Sequence, residues 1–160
     1  AGTNQPAKAK EALELMKAKM TDPSLKEPLA PFNAAYDGAL VAKSILEGVI
    51  AEQQKDYKNA VTHFQQAVIA EDNLIYTEPR DWLLPARHYL ADALIKAGKY
   101  NEAISVLNED LEINPNNGWA LTGIVKCYRA LKNRPALAAA QTRLKDAWMI
   151  KDMEIGTVVF

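Results

Sequence analysis

Between Leu84 and Asn117, a handful of residues fall into a register that few folds accommodate. Leu90 and Ala91 lie in one amphipathic segment, Gly98 interrupts it, and Tyr100 and Ala103 open a second. Pro115 ends the second segment, because proline lacks the amide hydrogen and its ring clashes with the preceding turn. Two short helices joined at a glycine make a hairpin that cannot bury its apolar face alone. Such a chain must stack several hairpins, with small side chains wherever helix backbones approach.

The rest of the chain answers that demand. Forty-three residues before Ala91, Gly48 stands in the equivalent slot, and Tyr57, Ala60, Phe64 and Ala67 match Tyr100, Ala103, Leu107 and Asp110. A looser third copy starts at Gly118, where Leu121, Ile124, Val125 and Tyr128 keep the pattern and the turn falls near Lys132-Asn133. Its second helix is predicted over 134–150, with Pro135 in the first turn, where a proline is tolerated. Gly48, Ala60, Ala91, Ala103 and Gly123 are the expected points of close approach, and Tyr57, Phe64, Tyr100 and Leu107 the fillers between them. Before these copies, Ala9, Leu13, Met16 and Met20 recur at helical spacing and predict one more helix over 7–20. Pro23, Pro28 and Pro31 make the next stretch a connector, with Asn33 expected to cap the following helix. The expected divisions are 1–33 (helix and Pro-rich connector), 34–74 (first hairpin), 75–83 (insertion), 84–117 (second hairpin), 118–151 (irregular third hairpin) and 152–160 (tail).

This pattern resembles the tetratricopeptide repeat. The resemblance implies an all-α, right-handed α-solenoid of about three helical hairpins plus an N-terminal helix. It also implies a non-enzymatic scaffold that binds a protein or peptide in its concave groove. A narrower likeness covers about 76–121, through Glu78-Pro79, Trp82, Pro85, Arg87, the Glu109-Asp110-Leu111 triplet and the run 117–120. In these features the chain is similar to the C-terminal repeats of a family of uncharacterised bacterial tetratricopeptide proteins. Full-length members of that family carry closely spaced histidines upstream, and no such segment occurs here, so no metal or catalytic role follows from it. The same likeness implies an alternative function, as the C-terminal accessory domain of a larger metal-dependent or catalytic protein. Chaperone-type members of the wider repeat family hold a peptide's carboxylates with Lys and Asn. Ile45, Val49 and Tyr89 occupy those positions here, so that clamp is absent.

Charge and composition exclude other classes. With 19 basic and 20 acidic side chains the net charge is −1, against the basic excess expected of a nucleic-acid binder. No apolar run is long enough to cross a bilayer. The chain opens on Ala1 without a Met, as an excised piece or a mature chain would, and a bacterial cytoplasmic or periplasmic setting fits either.

Two constellations stand out. By register, His88, Asp92, Lys96, Trp119, Thr122, Lys126 and Arg129 are expected to line the groove, an aromatic anchor flanked by charges. Asp110 takes a slot that Ala67 fills in the first copy, and a buried carboxylate requires partners. Arg87 is the expected partner, with Glu78 and Asn117 in support, as a structural polar cluster. Catalytic residues, cofactors and metal ligands are not expected. His63 and His88 lie in different copies, one predicted to face solvent and the other the groove, and Cys127 reads as packing. Exposed end helices leave self-association open. Trp82 is expected to seal the insertion, and Trp148 to belong to the core or cap.

Overall fold

The computed structural model describes residues 5–28, 31–149 and 156–159. Among them there are seven α-helices and no strand: α1 (Pro6–Lys19), α2 (Ala35–Gln53), α3 (Tyr57–Asp72), α4 (Ala86–Lys96), α5 (Tyr100–Ile113), α6 (Gly118–Ala130) and α7 (Arg134–Ala147). The all-α architecture of helical hairpins is therefore as the sequence predicts. The chain divides into two compact units, Ala1–Ala86 and Arg87–Phe160.

One turn chemistry, used three times, builds the hairpins. Lys55, Gly98 and Lys132 all adopt the left-handed conformation, at φ 61°, 75° and 55°. The next amide in each case reaches five residues back: Asp56 N–H donates to Ala51 O, Lys99 N–H to Leu94 O, and Asn133 N–H to Tyr128 O, at 2.8–3.1 Å. This closing bond takes up a carbonyl that the helix end would otherwise leave bare. Only the middle turn uses glycine, the residue that adopts this conformation without steric cost, so only that turn advertises itself in the sequence. The residue after the turn then caps the returning helix, through Asp56 Oδ1 to Asn59 N–H and Asn133 Oδ1 to Ala136 N–H.

In the first unit α2 and α3 pack as a hairpin, and α1 lies against α2. Ala9 and Leu13 of α1 meet Ile50 and Leu46 of α2. Above that contact Glu47, largely buried, collects Lys17 (3.2 Å), Lys43 (4.0 Å) and His63 (3.4 Å), so one carboxylate ties three helices together. The ammonium of Lys17 is raised in pKa chiefly by its bond to Glu47. Gly48 and Phe64 make the close approach of α2 to α3. A Cβ on Gly48 would come 2.6 Å from Phe64 Cδ1 and nearer still to Cε1.

The connector holds a short 3-10 turn, Pro23–Lys26, whose first amide bonds Asp22. Asn33 does not cap α2 as expected; Ala34 holds that position, its amide donating to Asp37 Oδ2 at 2.9 Å. Instead Asn33 grips the insertion, donating to Ile75 O and Asp81 Oδ2 and accepting from Ile75 N–H. A short polar side chain can satisfy loop backbone as readily as a helix end, and here the loop wins. Trp82 closes the insertion onto itself, its indole N–H donating to Leu84 O at 2.6 Å.

In the second unit α6 packs against both α5 and α7. Leu107, Leu121, Ile124 and Cys127 are among its buried side chains. Gly123 is not the counterpart of Gly48: it faces Leu107 of α5 and Val158 of the tail, whereas Gly48 faces its own hairpin partner. Counted from the start of each copy, Val125 takes the slot of Gly48 and Ala91. The tail, from which the sequence offers no pattern, contributes a fully buried Val158.

Candidate functional site

Around Asp110 the second unit assembles a buried polar cluster. The carboxylate is 1% exposed. Its Oδ1 accepts from Asn114 Nδ2 at 3.0 Å, and its Oδ2 accepts from Asn117 Nδ2 at 2.8 Å. Asn117 Oδ1 accepts the backbone N–H of Trp119, which makes Asn117 the cap of α6 and fixes which way its amide points. Its Nδ2 is therefore the donor in the 2.9 Å contact with His88 Nε2 as well. His88 Nε2 also lies 3.3 Å from Asp110 Oδ2.

The cluster thus differs from the expected one in its members. Arg87 presents its Nε to Glu109 Oε2 at 3.6 Å, one residue short of Asp110. Glu78 is exposed and receives the Tyr76 hydroxyl. Asn117 takes part, and His88 and Asn114 join it. Coulombic matching pointed to Arg87, but neutral amides serve a buried carboxylate as well. A readable signal existed in the i, i+4 spacing of Asp110 and Asn114.

The expected groove set divides in two. His88, Asp92 and Thr122 are buried and do not line an open surface. Every residue of α4 from Leu90 to Ile95 is buried, so its polar side chains must find partners inside. Asp92 takes Lys96 at 2.6 Å, and Thr122 donates its hydroxyl to Gly118 O at 2.8 Å. Lys96, Lys126 and Arg129 are exposed, and Trp119 is half-buried. On a helix of 3.6 residues per turn, Trp119 and Lys126 stand about 20° apart, with Arg129 about 60° further round. One side of α6 therefore carries an aromatic edge followed by two cations, neither of which ion-pairs with a described residue. Trp119 is steadied by Trp148, edge to face with ring centroids 5.0 Å apart. The Trp148 indole sits where Gly118 would otherwise carry a Cβ.

Neither histidine is placed as expected. His63 lies against Glu47 and His88 against Asn117. No group of three metal-ligating side chains occurs among the described residues. Burial pushes the Cys127 thiol up to about 11, with Lys126 opposing weakly. At pH 8 only about one thiol in a thousand is then ionised, against roughly a quarter for a free cysteine. Iodoacetamide is expected to label Cys127 at least ~100-fold more slowly in the native protein than in denaturant. Comparable rates would show the thiol to be accessible.

Paired helices, recurrent turns and a polar cluster that locks one hairpin to the next helix define a helical-hairpin repeat protein. Residues 85–117 match the family model of the tetratricopeptide repeat. That segment is a tetratricopeptide repeat. No curated protein and no solved structure matches it. Repeats of this kind serve generally as scaffolds for protein interaction, and no described helix is long and apolar enough to cross a membrane.

Proposed function

We propose that this chain is a non-enzymatic protein-interaction module and that it takes up an acidic segment along α6. The observation that carries this reading is the exposed pair Lys126 and Arg129, on one side of α6 with Trp119 and without ion-pair partners among the described residues. Arg129 stands in the last turn of its helix, where a cation also complements the helix dipole, so the stripe costs the fold nothing to maintain. A partner's carboxylates meet the cations, while an apolar side chain packs on the exposed part of Trp119. The buried groups beneath them, Thr122 and the Asp110 cluster, hold the stripe rigid, so binding loses little conformational entropy.

Reversing both cations, Lys126→Glu with Arg129→Glu, tests this directly. A fluorescein-labelled Glu-rich octapeptide is expected to bind the native chain and to lose at least ~10-fold in affinity on the double variant. Raising the salt should weaken the native complex and spare the variant. Both side chains are exposed, so helical circular dichroism should not change. Equal binding by the two proteins, or no binding of acidic peptide by the native chain, would overturn the assignment.

A further inference from the structure

The tail segment 156–159 returns to the second unit and buries one side chain. Val158 is fully enclosed, while Gly156 and Thr157 are exposed and Val159 is half-buried. Its seat exists because Gly123 has no side chain. A Cβ there would fall 2.9 Å from Val158 Cγ2 and 2.6 Å from Leu107 Cδ1, so any other residue would fill the socket from below. Nothing else fastens the segment as firmly. Its Val159 N–H donates to Thr157 Oγ1 within the segment, and among the described residues no hydrogen bond joins 156–159 to the helices.

We infer that the socket formed by Gly123 and Leu107 is a docking site for a non-helical segment bearing a small β-branched apolar residue, and that the chain's own tail occupies it in cis. The seated Val158 shows the chemistry that fits: two methyl groups on Cβ, presented at a bend in the segment. A single anchoring side chain gains by its burial an amount of the same order as the cost of ordering the residues around it. The tail therefore sits in exchange, and an outside segment of like chemistry competes for the seat on nearly equal terms. The socket also borders the α6 stripe, since Gly123 stands about 40° round the helix from Trp119. The inference needs no acidic ligand, and it stands or falls apart from the cationic stripe.

The test uses the full chain and a labelled peptide with the sequence of residues 154–160, EIGTVVF. In the chain carrying Val158→Asp the internal anchor is removed and the socket is left intact. That variant is expected to bind the peptide at least tenfold more tightly than the native chain, whose own tail competes. The same peptide bearing the V158D change should bind neither protein, which ties the affinity to the valine. Helical circular dichroism of the variant should match that of the native chain. Equal affinity of variant and native chain would overturn the inference, and so would loss of helix in the variant, which would make Val158 a permanent part of the core. A variant that pairs with a second copy, seen as a doubled mass by light scattering, would also overturn it.

Discussion

Replacing Asp110 with Ala should remove about 3 kcal/mol of unfolding free energy. The carboxylate accepts from two amides, and its removal leaves Asn114 Nδ2 and Asn117 Nδ2 without that acceptor in a part-buried site. The damage spreads, because Asn117 also caps α6 and holds His88. Loss of a cap alone typically costs about 1 kcal/mol. Asp110→Asn keeps the shape and one acceptor but sets an amide hydrogen against an amide hydrogen, so an intermediate loss of about 1–2 kcal/mol is expected. Glu109→Ala separates this cluster from the neighbouring ion pair. Glu109 is about half-exposed where it meets Arg87, and its removal should cost less than about 1 kcal/mol. Urea unfolding followed by circular dichroism measures all three. If Asp110→Ala costs no more than Glu109→Ala, the carboxylate is not the centre of the cluster.

The sequence exposed the parts of the fold that obey a period and hid those that depend on one local choice. Ala91, Gly98, Tyr100 and Ala103 repeat a spatial requirement, so their spacing alone reveals a hairpin. Lys55 and Lys132 do the work of Gly98 at their turns, but nothing in a lysine announces the left-handed backbone it adopts. Asn33 illustrates a choice between two legitimate uses of one side chain, the cap of a helix or the clasp of a loop, and only tertiary contact decides it. The groove assignment failed at His88 and Asp92 for a related reason. A helical wheel ranks the faces of α4 but cannot show that the helix is enclosed nearly all round, where a polar residue turns inward to a partner. On α6, exposed on one side, the same wheel placed Lys126 and Arg129 on the open surface. Val158 lies beyond such reasoning, because a short segment such as 156–159 has neither helical period nor strand partner.

Gly48 offers the second large effect, and its outcome rests on a contest of two known terms. Alanine in mid-helix gains about 1 kcal/mol over glycine from propensity alone. Against that, the new methyl would meet the ring of Phe64, which is 1% exposed and has no room to retreat. Overpacking of this kind costs about 1–3 kcal/mol, so Gly48→Ala should be net destabilising by about 1 kcal/mol, and the bulkier Gly48→Val by 3 or more. Phe64→Leu alone should cost about 1–2 kcal/mol by leaving a partial void beside α2. Combined, Gly48→Ala and Phe64→Leu should cost about 1 kcal/mol less than the sum of the single losses, since the methyl enters the space the ring has vacated. Thermal or urea unfolding of the four proteins gives that coupling directly. Strict additivity would mean that α2 and α3 do not meet through this pair.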